Sequence, residues 1–176
     1  SSDGKYKFNA DGNTTRQPWF GCACCPSNLC RFIPSVPGYL YGVKDNNIYV
    51  NLFAGNTSTI KVNGKDVVLE ETTEYPWNGD IKIAVKKSGV KNANLLVRIP
   101  GWVRNQVVPS DLYKYSDAEK PAYSVTVNGK AVEADLDANK GYLPVKNIKK
   151  GDVIRIHFDM PVRTVVANGK VADDKG

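Results

Sequence analysis

The sequence predicts an all-β chain, an antiparallel, jelly-roll-like β-sandwich preceded by a loop and one short helix. Three observations carry this. After about residue 39, apolar and polar residues alternate at period two, the pattern of half-buried strands. The pair Asn-Gly recurs between such runs, at Asn63-Gly64, Asn128-Gly129 and Asn168-Gly169. It suits a two-residue hairpin because both residues tolerate positive φ. No long stretch keeps a helical period.

The elements follow in order. Residues 1–20 lack periodicity and are expected to be loosely held. Residues 27–34, SNLCRFIP, suit a short helix capped by Ser27 and limited by Pro34 and Pro37. In NIYVNLFA, Ile48, Val50 and Leu52 share a face. IKVNGKDVVLEE reads as a hairpin in which Ile60 and Val62 enter and Val67 and Leu69 leave. DIKIAVKK turns Ile81, Ile83 or Ala84, and Val85 inward, and NLLVRIP does so with Leu95, Val97 and Ile99. Residues 103–121 read as a long loop. YSVTVNGKAVEA is a second hairpin, and GYLPVKN a short strand whose proline suits a sheet edge. DVIRIHFDM points Ile154, Ile156, Phe158 and Met160 inward. PVRTVVANGKVAD repeats the hairpin signal with almost no second arm, so the polypeptide is expected to continue past Gly176. VNGKDV, VNGKAV and ANGKVA are three uses of one turn chemistry, since their spacings differ.

A chain of 176 residues suits one domain with an appendage, and 41% hydrophobic with 24% charged residues is a soluble globular composition. The net charge of +6 is spread through turns such as Asn63-Gly64-Lys65, a solvated basic surface rather than a nucleic-acid stripe. No apolar run approaches the roughly 18 residues that cross a bilayer. The polar N-terminus has no signal-peptide core and no Met, as expected of a piece of a longer protein.

All four cysteines lie in one stretch, Gly21-Cys22-Ala23-Cys24-Cys25-Pro26-Ser27-Asn28-Leu29-Cys30. Four readings fit the residues. Local disulfides would close tiny loops and add little stability. Cys22-Ala23-Cys24-Cys25 contains Cys-x-x-Cys, but without the βαβ setting that gives a redox motif its meaning. A complete structural zinc site needs four ligands, and the spacing is not that of paired knuckles. A partial metal or catalytic site would donate two or three thiolates at a helix N-terminus, where the dipole favours negative charge.

Beyond that point the residues resemble a known family. Trp19-Phe20-Gly21-Cys22-Ala23-Cys24-Cys25-Pro26-Ser27-Asn28 with Arg31 looks like the Cys-Cys-x-x-Asn signature of glycoside hydrolase family 127, the β-L-arabinofuranosidases. Ile48-Tyr49-Val50-Asn51-Leu52, Thr73-Glu74-Tyr75-Pro76-Trp77-Asn78-Gly79, Leu96-Val97-Arg98-Ile99-Pro100-Gly101-Trp102 and Gly141-Tyr142-Leu143 follow in family order. The resemblance implies an enzyme with a catalytic (α/α)6 barrel followed by β-sandwiches. Residues 1–43 would then be the end of the barrel, and residues 44–176 a sandwich truncated at its C-terminus. It implies Cys24 as nucleophile and as zinc ligand, and Cys25 as zinc ligand. The other ligands, a Glu and a Cys, and the acid/base Glu would lie in a barrel segment outside this chain. The mechanism implied is retaining hydrolysis of an arabinofuranoside-containing glycan, in a parent that is bacterial and periplasmic or secreted. The chain alone would hold no complete zinc site and would be inactive. Cys22 and Cys30 match no assigned role.

Two rival readings are a non-catalytic accessory or carbohydrate-binding sandwich, and a small metal or redox module. Trp19, Trp77 and Trp102 are expected in a sandwich core rather than stacked on sugar. His157 reads as a surface residue, and Asp80, Asp135, Asp137 and Asp152 as turn formers.

Overall fold

The computed structural model describes residues 24–174. Trp19, Cys22 and the segment expected to be loosely held lie outside the described residues. Two compact units divide between Val36 and Pro37.

The first unit contributes α1 (Cys24–Ser35), which begins three residues earlier than predicted. Ser27 is therefore inside the first turn rather than its cap, and its Oγ donates to the Cys24 carbonyl at 3.2 Å. Pro26 is tolerated there because a first-turn N–H has no intrahelical acceptor to lose. Pro34 falls within the last turn. The end is closed by Ser35 Oγ donating to the Phe32 carbonyl at 2.7 Å, and by Val36 N–H donating to the Ile33 carbonyl at 3.2 Å.

The second unit opens with one turn, α2 (Pro37–Leu40), which delivers Leu40 to the interior. The strands that follow are β1 (Tyr41–Lys44), β2 (Asn47–Val50), β3 (Asn56–Val62), β4 (Lys65–Thr73), β5 (Asp80–Ser88), β6 (Asn94–Arg98), β7 (Tyr113–Tyr115), β8 (Tyr123–Val127), β9 (Lys130–Ala131), β10 (Tyr142–Val145), β11 (Val153–Phe158) and β12 (Val165–Ala167). This unit begins at Pro37, and Tyr41–Lys44 are paired with β2. A four-stranded sheet runs β1-β2-β6-β10, and a six-stranded sheet runs β3-β4-β5-β11-β8-β9.

The core lies between these two sheets, and the period-two phase built it. Ile48, Val50, Leu95, Val97, Leu143 and Val145 face it from the smaller sheet. Val62, Val67, Leu69, Ile81, Ile83, Val85, Ile154, Ile156 and Phe158 face it from the larger. Two of the three expected Asn-Gly turns form, with φ of 48° and 76° at Asn63-Gly64 and 51° and 81° at Asn128-Gly129. Pro144 occupies β10, an edge strand, where its missing N–H removes no ladder bond toward solvent.

The sheets are antiparallel apart from one pair. β2 and β6 run parallel, with Ile48 opposite Leu95 and Val50 opposite Val97, and Asn94 Nδ2 donates to Asn47 Oδ1 at 2.9 Å beside them. Leu52 does not continue the inward face, because β2 ends at Val50; Phe53 enters the core in its place. Met160 is likewise exposed, since β11 ends at Phe158. The loop of residues 103–121 contains a strand the sequence did not signal, β7, which pairs with β12 in a separate two-stranded ribbon. Asn168-Gly169 makes no third hairpin. Asn168 N–H and Nδ2 donate to the carbonyls of Leu112 and Asp111, and a 3₁₀ turn, Gly169–Asp174, follows.

Gly79 shows how tightly the β4–β5 loop is seated. Phe158 N–H donates to its carbonyl at 3.1 Å, and a Cβ built at residue 79 would overlap the Phe158 carbonyl oxygen. Gly79→Ala is expected to cost about 2 kcal/mol, since the clash is with backbone that cannot rotate away. A chemical-denaturation midpoint equal to that of the parent would contradict this packing.

Candidate active site

The cysteine turn is built by the start of α1. Cys24 and Cys25 are its first two residues, both are exposed, and their sulfurs lie 3.7 Å apart. Zinc–thiolate bonds of about 2.3 Å at a tetrahedral angle place two sulfurs about 3.8 Å apart, so the pair has the spacing of two ligands on one ion. Cys30, also exposed, is a further turn along the helix. Arg31 Nη2 donates to Asn28 Oδ1 at 2.8 Å, so the signature Asn and Arg hold each other at helical i,i+3 spacing. Among the described residues no group of three or more His, Cys, Asp or Glu side chains is placed to hold a metal ion. No helix among them is long and apolar enough to cross a membrane.

In the sandwich, the sequence reading missed Glu71. It is 3% exposed and faces the interior of β4. The Ala54 N–H donates to its Oε1 at 3.0 Å, and the Tyr41 hydroxyl lies 3.1 Å from its Oε2 and 3.2 Å from Asn56 Oδ1. Burial, opposed by these hydrogen bonds, pushes the Glu71 carboxyl up from 4.5 to about 7. Burial and the neighbouring carboxyl together raise the Tyr41 hydroxyl above its ordinary value. The missed signal was parity: Val67 and Leu69 point inward, so residue 71 must as well.

His157 lies on the surface, as expected, but between two carboxylates. Nδ1 is 2.7 Å from Asp80 Oδ1, and Nε2 is 3.1 Å from Asp159 Oδ1. Those bonds raise its pKa above the ordinary 6.5. As the only histidine, it gives one resolvable ring titration by NMR, expected above that value and shifted down in Asp80→Asn. Asp80 is thus an ion-pair partner, whereas Asp135 and Asp152 are turn formers, accepting from the backbone N–H groups of Asp137 and Lys149.

The tryptophans divide. Trp102 packs on the core, edge-on to Phe158, with its Nε1 donating to the Tyr75 hydroxyl at 3.4 Å. Trp77 is 90% exposed at the tip of the β4–β5 loop, contrary to the core placement expected of it. Its N–H donates to the Glu74 carbonyl at 2.8 Å in the turn between β4 and β5, and it is Tyr75 from this loop that packs on the core. Beside Trp102, a cleft of about 440 Å³ opens between the loops that follow β2 and β6.

A family model described as "Beta-L-arabinofuranosidase, GH127 middle domain" matches residues 47–160, from β2 to just past β11. The chain belongs to glycoside hydrolase family 127. It is 32% identical over 168 residues to the non-reducing end β-L-arabinofuranosidase of Bifidobacterium longum subsp. longum, covering 92% of this chain and 22% of that protein. A solved family 127 β-arabinofuranosidase superposes with a TM-score of 0.85 at 53% identity, over 92% of this chain and 25% of the other. A family 127 β-L-arabinofuranosidase from Geobacillus stearothermophilus T6 gives 0.70 at 31% identity, over 91% and 23%. The chain therefore spans about a quarter or less of the length of these family 127 proteins.

Proposed function

We propose that this chain is the part of a retaining β-L-arabinofuranosidase that supplies the nucleophile, Cys24, together with one of its β-sandwiches. The observation that carries the reading is the exposed pair of sulfurs 3.7 Å apart at the start of α1, in a chain of family 127. The relatives' names support an arabinofuranoside as substrate. Leu29, Phe32 and Ile33 on α1 are exposed, large apolar side chains of the kind a larger protein covers.

Cys24 and Cys25 would hold zinc as two of its ligands. Zinc bound there would keep a coordinated thiol deprotonated at neutral pH. The Cys24 sulfur attacks the anomeric carbon, and the C–S bond forms as the glycosidic C–O bond breaks. The leaving oxygen takes a proton from an acid/base group outside this chain. Water, deprotonated by that same group, then attacks the carbon; the C–S bond breaks and the thiolate is restored. The thiolate thus takes the role that a carboxylate plays in most retaining glycosidases. With the acid/base and the other ligands elsewhere, the chain alone is inactive.

Two displacements at one carbon restore its configuration. Proton NMR of the full-length enzyme acting on an aryl β-L-arabinofuranoside is expected to show the β-anomer of the free sugar first. If the α-anomer forms first, double displacement is excluded.

A further inference from the structure

The cleft beside Trp102 carries a charge that nothing around it answers. Its lining includes Arg98 and Arg104 and no carboxylate, and its apolar wall includes Leu52, Val108 and Pro109. Among the described residues neither arginine has an ion-pair partner. Arg98 is exposed and makes one long bond, from Nη1 to the Asn51 carbonyl at 3.4 Å. Arg104 is seated more firmly. Its guanidinium rests on Gly141, where a Cβ would come within 2.9 Å of Cζ, and its Nε is shut away from solvent with no acceptor. A buried donor with no partner is costly, so such groups in native proteins normally have one.

We infer that this cleft is a docking seat for another domain of the same polypeptide, which inserts a carboxylate between Arg98 and Arg104 and lays apolar side chains on Leu52, Val108 and Pro109. The inference rests on the reading of the chain as one part of a larger family 127 protein. At least three quarters of the length of the relatives lies outside this chain, so a large partner is available within the polypeptide. An aromatic and aliphatic surface carrying arginine, with lysine absent from the lining, has the composition of a protein interface. Trp77, two residues beyond Tyr75 of the lining, is a large exposed aromatic close by in sequence.

Arginine-selective labelling of the full-length protein with phenylglyoxal, read by peptide mass mapping, tests this. Arg155, exposed on the outer face of β11, serves as the accessible reference. Arg98, exposed in this chain, is expected to lose its labelling in the full-length protein while Arg155 keeps it, and Arg104→Gln is expected to restore labelling at Arg98. Equal labelling of Arg98 and Arg155 overturns the inference. So does protection of Arg98 only when a uronic acid is added, which would make the cleft an acidic-sugar site. The result does not depend on the nucleophile, because labelling reads the accessibility of arginine and not turnover.

Discussion

In the full-length enzyme, Cys24→Ser is expected to lower kcat by roughly a million-fold, as removal of a nucleophile does elsewhere, with little change in melting temperature. A serine hydroxyl stays protonated where a thiol beside a dication does not, so the attacking atom is lost while the side-chain shape is kept. The substitution exchanges one atom and keeps the size of the side chain, so the packing of α1 is expected to change little. Cys25→Ser is expected to act in the other order, lowering zinc content first and turnover as a consequence. Steady-state kinetics with an aryl β-L-arabinofuranoside, metal analysis and a thermal melt separate the two. Near-normal turnover by Cys24→Ser would return the cysteine pair to a structural role.

The second large effect concerns stability against pH. The Tyr41 hydroxyl has one proton and two acceptors in reach, Glu71 Oε2 and Asn56 Oδ1. When Glu71 is protonated, it donates to the Tyr41 oxygen and Tyr41 donates to Asn56, so every group is satisfied. When Glu71 is ionised, the proton serves only one acceptor, and a charge is left 3% exposed with no cation bonded to it. The raised pKa of about 7 means that the folded protein keeps a proton the unfolded chain has already lost above 4.5. Stability from this group is therefore full below 4.5, falls as pH rises to about 7, and stays reduced above it. At about 1.4 kcal/mol per unit, the change is on the order of 3 kcal/mol.

Glu71→Gln keeps an acceptor for Ala54 and an amide for Tyr41 and removes the titration. The variant is expected to be more stable than the parent at pH 8 and to lose most of the decline between pH 5 and pH 8. His157 acts in the same direction, because its raised pKa gives stability present below 6.5 that is lost as pH rises through the folded value, so a residual slope belongs to it. Asp66, beside Lys61 and Lys87, and Asp117, beside Arg163, are held below 3.8; their contributions are lost only at lower pH. Chemical denaturation of parent and variant across this range checks the account, and parallel curves would contradict it.

The sandwich was legible because burial on one face writes itself into every second residue, as in Ile154, Ile156 and Phe158. Turns were legible where one residue pair fixes the backbone, at Asn63-Gly64 and Asn128-Gly129. Asn168-Gly169 failed because its side chain and N–H found partners at Asp111 and Leu112, far away in sequence. The parallel β2–β6 pair and the ribbon of β7 with β12 depend on which distant strands meet, and no local pattern encodes that. Strand ends were missed by two residues at Leu52 and Met160, where alternation in the sequence outlasts the hydrogen-bonded ladder. At the candidate site, the adjacent cysteines and the signature Asn could be read directly, because their chemistry is local. Glu71 carried a signal of phase alone, and the unanswered charge of Arg98 and Arg104 appears only when β6 and its following loop are folded.

The measurement that bears most directly on the central claim is peptide mass mapping of the full-length enzyme quenched in acid during turnover of a slow aryl β-L-arabinofuranoside. A pentosyl increment on the peptide that carries Cys24, localised to Cys24 by fragmentation and absent from Cys24→Ser, is the predicted result. A pentosyl increment on a carboxylate side chain, with Cys24 unmodified throughout turnover, would contradict it.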